Sequence, residues 1–375
     1  MSKRNCPVCG GRQSKAIKQI RMKIPSDYRL PETYGVAACE NCGFVYADTS
    51  ASKEDYDWYY AHCNFYGDDS KDDNSERYEM TEELLERFFQ KDSKLLELGA
   101  GNGRFEVALK RNGYTDATGT DPSAESVARL LNEGIRAYAA SIYDEVHKEE
   151  MGKYDGIFLF EVAEHLLFPG KGVENAAKML KKDGVFIISV PDYSQIGADK
   201  SPVANYFNLE HINYFSEKSL NSLLARFGME RVAQKRYGVD LVQAYRKTGS
   251  VGPMEKDTAT ETAVCEYFGQ KREQEERVKA LIAELRAAKT ELFVWGTGSY
   301  VMSLFATTDL GQCNIKGFLD NNKIKQGREM FGLPIYPPSY LKEEGAAVLV
   351  CSMLNGECIK EQIEKMHSEV CVFLA

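Results

Sequence analysis

The feature that most constrains this chain is an apolar strand that breaks into three alternate glycines and then into a helix, over residues 95–105. These glycines are Gly99, Gly101 and Gly103. Without a Cβ atom, they let the backbone turn tightly and approach a ligand closely. Glu97 lies just before the turn, and Asp121 ends the next apolar stretch, where a carboxylate suits the two ribose hydroxyls of an adenosine. The sequence therefore predicts a nucleotide-binding turn.

Composition limits the class of protein. The chain has 375 residues, 43% of them hydrophobic, which is enough to bury the cores of two or three domains. Its formal net charge of −9 provides no overall basic field, so nucleic acid is a disfavoured partner. No apolar run reaches the roughly 18 residues of a membrane span, and the N-terminus lacks the apolar core of a signal peptide. We therefore expect a cytoplasmic protein without a membrane segment.

Four cysteines near the N-terminus form two Cys-x-x-Cys pairs, each followed by a glycine. These cysteines are Cys6, Cys9, Cys39 and Cys42. The pattern is typical of a zinc ribbon, in which each pair offers two thiolates and the glycine lets backbone amides turn toward the sulfurs. A redox dithiol is the alternative, but two paired knuckles favour a closed, four-coordinate structural Zn²⁺ site.

The chain divides into three predicted parts. Residues 1–75 hold the zinc-binding ribbon and an aromatic linker, residues 76–250 a central domain, and residues 251–375 a charged helical linker and a last domain. The linker is rich in tyrosine between Tyr56 and Tyr66. These rings either pack the small domain onto its neighbour or form a wall over a substrate.

The central part alternates strands and helices, which predicts a mainly parallel sheet with helices on both faces. The predicted strands cover residues 94–98, 117–120, 137–139, 156–160 and 185–190. The predicted helices cover residues 106–112, 124–133 and 172–181. Ligands of such sheets bind beyond the carboxyl ends of the strands. The residues that map to this edge are Glu97, Asp121, Ser141, Ile142, Phe160, Glu161 and His165.

Three motifs in this order resemble the class I S-adenosylmethionine-dependent methyltransferases. They occupy residues 97–103, 119–123 and 161–166. The resemblance implies an α/β fold with a Rossmann-like core and S-adenosyl-L-methionine as the cofactor. It implies that the glycine turn with Glu97, Gly99, Gly101 and Gly103 holds the methionine part. It further implies that Asp121 binds the ribose, that Ser141 and Ile142 line the adenine edge, and that Phe160 and Glu161 line the methionine side.

His211 is the first candidate for a general base, because it follows the fifth strand and a histidine titrates near neutrality. Glu210 is placed to orient it, and His165 is a second candidate. A capping or docking turn before the helix that starts near Ser216 is the alternative for Glu210 and His211, and a role in holding its own loop is the alternative for His165. Tyr66 is a weaker candidate for the acceptor pocket.

The last third contains a second Rossmann-like half. A strand enters a glycine turn at Trp295, Gly296 and Gly298, and another strand ends at Asp320. Val301 occupies the position of the third fingerprint glycine, which disfavours a nicotinamide site. We expect a smaller nucleotide-sugar or subunit-docking module, with these residues as candidates for substrate binding.

The order of ribbon, methyltransferase core and Rossmann-like tail resembles the C-methyltransferases of nucleotide-linked deoxysugars. In that family a Tyr-x-Glu-His element supplies the base, and Glu210 and His211 match its last two positions. Asn208 stands where the family has tyrosine, with Tyr206 two residues earlier, which leaves C-, O- and N-methylation open. An RNA methyltransferase and a non-catalytic, cofactor-binding docking protein are the alternatives. The oligomeric state, including a homodimer, stays open.

Overall fold

The structure is a computed structural model that describes residues 3–63, 75–198, 201–341, 347–352, 356–366 and 370–375. Its strands are β1 (Ser14–Arg21), β2 (Thr33–Cys39), β3 (Val45–Asp48), β4 (Lys94–Leu98), β5 (Asp116–Asp121), β6 (Arg136–Ala139), β7 (Tyr154–Phe160), β8 (Leu180–Pro191), β9 (Asn213–Tyr214), β10 (Met229–Tyr237), β11 (Asp240–Lys247), β12 (Glu291–Trp295), β13 (Asn314–Leu319), β14 (Glu329–Met330), β15 (Leu333–Tyr336), β16 (Ala347–Val350) and β17 (Cys371–Leu374). Its α-helices are α1 (Lys53–His62), α2 (Ser75–Phe88), α3 (Arg104–Arg111), α4 (Ala124–Asn132), α5 (Pro169–Met179), α6 (Val203–Tyr206), α7 (Glu217–Ala225), α8 (Ala259–Ala287), α9 (Ser299–Thr307) and α10 (Gly356–Met366).

The central sheet has the order β10-β11-β8-β7-β4-β5-β6. Strands β4 to β8 are parallel to one another, whereas β10 and β11 form an antiparallel hairpin on β8. The Rossmann-like α/β core is therefore confirmed, and each predicted strand and helix of this region is present. Strand β8 begins earlier than predicted, at the buried Leu180, because Leu180 pairs with Tyr154 ahead of three exposed polar residues.

The N-terminal sheet is antiparallel and has the order β1-β2-β3-β9. Its last strand, Asn213–Tyr214, comes from the predicted central part rather than from the ribbon. Helix α1 packs against this sheet through Tyr56 and Tyr59, which are both buried. The N-terminal sheet and the loop before β9 therefore share one core.

The C-terminal sheet has the order β14-β15-β13-β12-β16-β17, and its strands are parallel except β14. This is the second Rossmann-like unit that the sequence predicts. The charged helix α8 precedes it, as predicted, and buries Tyr267 and Ile282 in the core that also contains the N-terminal sheet. Within the part of the chain that the structure describes, every helix is too short or too polar to cross a membrane.

Asp257 joins the three parts of the chain. Its backbone amide donates to the carbonyl oxygen of Cys42 at 2.8 Å. Its carboxylate accepts from the hydroxyls of Ser216, which caps α7, at 2.5 Å and of Thr260, in the first turn of α8, at 2.6 Å. Since Asp257 is only 2% exposed, these bonds are shielded from water.

Gly43, just after the second cysteine pair, is expected to tolerate no side chain. Its φ is +77°, and a Cβ atom would lie 1.7 Å from the carbonyl oxygen of Asp257. We expect Gly43→Ala to lower the free energy of unfolding by about 3 kcal/mol, from overpacking plus backbone strain. Gly10 is the matched control, since its φ is +75° but no atom lies within 4 Å of its ideal Cβ. Urea denaturation of Gly10→Ala should show a loss of only about 1 kcal/mol, and equal losses for the two variants would contradict the steric argument.

Candidate functional site

The three glycines of the turn after β4 all adopt left-handed backbone conformations. A Cβ at Gly99 would lie 2.7 Å from Val162, and one at Gly103 would lie 2.2 Å from Leu130. The ideal Cβ of Gly101 has no neighbour within 4 Å. Gly99 and Gly103 therefore allow the turn to pack closely against its neighbours. At Gly101 the space next to the Cα atom stays open.

Asp121 is bound to this turn. Its Oδ2 atom accepts from the amide of Gly101 at 2.9 Å, and its Oδ1 atom accepts from the amide of Ser123 at 2.8 Å. Burial raises the pKa of this carboxyl above its usual value, while the two amide bonds oppose that shift. The structure thus brings Asp121 and the glycine turn together, as the motif spacing predicts.

The other cofactor candidates lie around the same edge of the sheet. Glu97 is 2% exposed within β4, and the Phe160 ring packs edge-to-face on Phe105, with ring centroids 4.9 Å apart. Glu161 has a φ of +54°, an uncommon value for a residue with a side chain. Ser141 begins a turn whose carbonyl oxygen at residue 142 accepts from Asn175 at 2.8 Å. Phe160 therefore contributes to the core as well as to this edge.

The loop after β7 lies next to the glycine turn at Val162 and also carries one of a pair of histidines. Val162 contacts Gly99 at its beginning, and His165 follows in a short 3₁₀ turn. The ring centroids of His165 and His211 are 4.9 Å apart and the rings are nearly perpendicular. The two histidines come from separate loops, so the fold brings together residues that the sequence keeps apart.

The protonation of both rings follows from their hydrogen bonds. The Tyr193 hydroxyl donates to the carbonyl oxygen of Tyr206 at 2.8 Å, so it accepts from Nδ1 of His211 at 3.2 Å. Nδ1 of His165 donates to the carbonyl oxygen of Glu210 at 3.2 Å. Each neutral ring therefore carries its free lone pair on Nε2.

Burial lowers the pKa of both histidines. For His165, burial outweighs the opposing effect of Glu210. For His211 the pKa falls well below its usual value, because burial disfavours a charged ring and the neighbouring His165 adds to this effect. Both rings are therefore neutral near pH 7, and each has one unprotonated ring nitrogen.

Two tyrosines from the N-terminal part of the chain bind the segment that contains Glu210. The Tyr59 hydroxyl donates to Oε1 of Glu210 at 2.5 Å. The Tyr34 hydroxyl donates to the carbonyl oxygen of Asn208 at 2.8 Å. Tyr59 thus combines packing of α1 with contact to the candidate site, and Tyr34 of β2 binds the same loop. Tyr66 lies outside the described residues.

The structure gives a role to the asparagine at position 208, where the Tyr-x-Glu-His element has tyrosine. Its Oδ1 atom accepts from the amides of Glu210 and His211, both at 2.8 Å, and its amide group donates to the carbonyl oxygen of Asn205. A phenol cannot reach its own backbone in this way. Asn208 therefore shapes the turn that presents Glu210 and His211, while the helix cap nearby is Ser216.

The four cysteines of the two pairs form one cluster. Their sulfur atoms lie within 4.8 Å of one another, with 3.6 Å between Cys6 and Cys42 and 3.5 Å between Cys9 and Cys39. Tetrahedral zinc with Zn–S bonds of about 2.3 Å separates its sulfurs by about 3.8 Å. The Gly11 amide donates to the Cys9 sulfur at 3.3 Å, as expected for a thiolate ligand. The cluster is therefore compatible with a zinc ribbon.

Arg4 links this cluster to the loop that carries His165. It is 8% exposed, and its guanidinium donates to the carbonyl oxygens of Leu167 at 2.5 Å and Ile212 at 3.1 Å and to the Asn213 side chain at 2.9 Å. Sequence reasoning did not select Arg4 or Tyr193, and it gave Tyr59 and Asn208 no role in positioning Glu210 or His211. The position of Arg4 near Cys6 offered a signal. Asn208 acts within its own turn, whereas Tyr59 contacts Glu210 from a distant segment.

The tail residues occupy the carboxyl end of β12 and its neighbour β13. The Thr297 hydroxyl donates to Oδ2 of Asp320 at 2.5 Å, which joins the two loops. Gly296 has a φ of +111°, and its ideal Cβ lies 3.3 Å from the carbonyl oxygen of Cys351, whereas Gly298 faces open space. The Trp295 side chain is 2% exposed in the apolar core of the sheet. The glycine turn and Asp320 are thus adjacent, and the Trp295 ring is a core group.

Comparison with known proteins decides the class of the central part. Residues 74–234 match the family described as "Methyltransferase domain". The central part of this chain is therefore similar to methyltransferase domains. The prediction of a methyltransferase is confirmed at this level, and the glycine turn, Asp121 and the histidine of the 161–166 motif all fall within the matched region.

Two curated proteins that resemble this chain share about a quarter of its residues over the aligned regions. Over 101 residues, the chain is 27% identical to a ubiquinone biosynthesis O-methyltransferase of Caulobacter sp. strain K31, covering 26% of this chain and 40% of that protein. Over 165 residues it is 26% identical to the uncharacterized protein MJ1123 of Methanocaldococcus jannaschii, covering 43% of this chain and 76% of that protein. The chain thus spans less than half the length of the Caulobacter relative.

One solved structure similar to this chain is the PH0226 protein from Pyrococcus horikoshii OT3. The two are 18% identical, with a TM-score of 0.41, and the similarity covers 52% of this chain and all of that protein.

Proposed function

We propose that this protein transfers the methyl group of S-adenosyl-L-methionine to a nucleotide-linked sugar or a related small metabolite, with His211 as the proton acceptor. The observation that carries the proposal is the histidine pair, of which His165 lies on the same loop as Val162, the residue next to Gly99. His211 has its Nδ1 proton fixed by Tyr193 and its Nε2 lone pair free to accept a proton. S-adenosylmethionine supplies an electrophilic methyl group on a sulfonium.

The glycine turn and its partners suit bound S-adenosyl-L-methionine. Gly101 has open space at its Cβ position, so its backbone can approach a ligand. Asp121 lies against the Gly101 amide at the end of β5, where a carboxylate can accept from ribose hydroxyls. Glu97, Glu161 and the turn at Ser141 and Ile142 are the remaining candidates for contacts to the cofactor.

The proton of the acceptor would pass to His211. A lone pair of an oxygen or nitrogen acceptor, or the electron pair left when a carbon acid loses its proton, would form the bond to the methyl carbon. The bond from that carbon to sulfur would break and leave its electron pair on sulfur. Nε2 of His211 takes the proton, and Tyr193 holds the ring through Nδ1. Glu210, fixed by Tyr59, contributes a negative charge close to the pair. In-line alignment of acceptor and methyl carbon supplies much of the remaining rate.

The acceptor class is proposed from the resemblance of the chain to nucleotide-deoxysugar methyltransferases. The glycine turn of the tail and Asp320, joined through Thr297, are candidates for contacts to the nucleotide part. The cysteine cluster is proposed to hold a structural Zn²⁺, because its four thiols close a tetrahedral site with no open position for chemistry.

Calorimetry tests the proposed function. S-adenosylhomocysteine is titrated into the full-length protein, followed by nucleoside diphosphates and nucleotide-sugars in its presence. Binding of both classes supports the proposal. Binding of S-adenosylhomocysteine without any nucleotide would contradict the sugar class. RNA binding that weakens with salt would instead favour the RNA methyltransferase, and tight cofactor binding without turnover of any acceptor would favour a docking protein.

Asp121→Ala is expected to weaken S-adenosylhomocysteine binding by about 10- to 100-fold, because two ribose hydroxyls lose a charged acceptor. The same calorimetric titration measures it. Asp116→Ala is the control, since Asp116 lies at the start of the same strand and pairs with Arg136 on the surface. Unchanged affinity in Asp121→Ala, with unfolding like the native protein, would remove Asp121 from the ribose site.

A further inference from the structure

Glu164 lies beside the histidine pair and completes a group of three metal-ligating side chains. One ligand atom from each of Glu164, His165 and His211 lies within 4.8 Å of the other two. Glu164 is 1% exposed, so its carboxylate is inside the protein. Two imidazoles and one carboxylate form a donor set that suits divalent transition ions.

Each of the two imidazoles has the Nδ1 hydrogen bond that metal-ligating histidines usually have. Nδ1 of His165 donates to a backbone carbonyl oxygen, and Nδ1 of His211 donates to the Tyr193 hydroxyl. Metal-bound histidines almost always donate their second ring nitrogen to such a partner, which fixes the tautomer and the ring plane. The nitrogens left with lone pairs are the two Nε2 atoms.

The two loops that supply these residues are fixed to each other by the protein itself. The Ile212 amide donates to the carbonyl oxygen of Glu164 at 2.8 Å. The Asn213 side chain donates to the carbonyl oxygens of Ala163 at 2.8 Å and Leu166 at 2.7 Å. The three candidate ligands are therefore held together before any ion binds, which lowers the entropic cost of binding it.

We propose that Glu164, His165 and His211 form a second metal site, separate from the cysteine cluster, that takes a divalent transition ion such as Zn²⁺ or Co²⁺. Three protein ligands leave further coordination positions to water. The regulatory consequence rests on the proposed function. A lone pair of His211 that is bound to a metal ion cannot accept a proton, so the ion inhibits methyl transfer.

Metal counting tests the site without any measure of activity. The protein is loaded with Zn²⁺, dialysed, and titrated with Co²⁺, and bound metal is measured by mass spectrometry and absorption. We expect Co²⁺ in this site to lack the intense charge-transfer absorption of thiolate ligands, which distinguishes it from the cysteine cluster. Native protein should hold one ion more per chain than the Glu164→Gln and His165→Ala variants. His62→Ala, at an exposed histidine, is the control.

Two results would overturn the site: native protein that binds no ion beyond the cysteine cluster, or extra binding that survives in both variants. Glu164→Gln changes a single atom, so a folding failure of His165→Ala leaves the test intact. In turnover assays, added Co²⁺ should lower the rate at least 10-fold, and a chelator should restore it. Metal bound at this site with unchanged turnover would refute the inhibition and count against His211 as the base, while leaving the site itself in place.

Discussion

Cys39→Ser is expected to produce the largest loss of stability among single substitutions in this chain. A structural zinc ion contributes on the order of 10 kcal/mol to the folding of a small domain, and one missing thiolate leaves an incomplete site. Cys39 ends β2 and is 2% exposed, so the damage begins within the N-terminal sheet. Urea denaturation followed by circular dichroism, together with zinc content, measures both consequences.

Cys265→Ser is the matched control for this substitution. Cys265 is an exposed cysteine of α8 outside the cluster, so its loss should alter neither zinc content nor stability. The damage from Cys39→Ser should also reach the methyltransferase domain, because Arg4 beside the first cysteine pair binds the loop of His165 and Asp257 binds the carbonyl oxygen of Cys42. Native stability after complete loss of zinc would refute the structural role of the ion.

His211→Ala is expected to lower kcat by about 10²-fold or more, because a positioned general base contributes that much to proton transfer. The affinity for S-adenosylhomocysteine should remain within a factor of about 2, since the proposed cofactor contacts lie around Asp121 and the glycine turn. Initial rates at saturating cofactor and calorimetry of the same preparation measure the two quantities.

Tyr193→Phe separates chemistry from folding at this site. It removes the hydroxyl that fixes the His211 ring but keeps the aromatic ring, which packs against Tyr214 with ring centroids 4.8 Å apart. We expect a smaller loss of kcat than in His211→Ala, with cofactor affinity unchanged. If His211→Ala loses cofactor binding together with activity, the histidine has a structural role and the base lies elsewhere.

Local patterns were sufficient to predict the parallel strands of the central sheet. Strand β4 is a short apolar run that ends in glycines, and its bounds agree with the prediction because burial on both faces demands such a run. The hairpin of β10 and β11 was not predicted. Strand β10 is mostly exposed or half-buried, so its sequence lacks the apolar signal of a buried strand.

The two cysteine pairs can be recognised from their spacing in the sequence alone. Each pair needs only its own turn, and the β1–β2 hairpin, in which Ser14 lies opposite Cys39, brings the two pairs together. By contrast, β9 pairs with β3 across most of the N-terminal half of the chain. No local sequence pattern predicts that Asn213–Tyr214 forms the last strand of the N-terminal sheet, which begins near residue 14.

The sequence by itself determined the glycine turn, the carboxylate after β5, the two cysteine pairs and the α/β class, because each depends on a short segment and its backbone geometry. Only the tertiary structure decided that His165 meets His211, that Glu164 joins them, and that Arg4, Tyr59 and Tyr193 hold these groups. Those contacts join segments far apart in the chain, and their geometry is set by the packing of whole sheets.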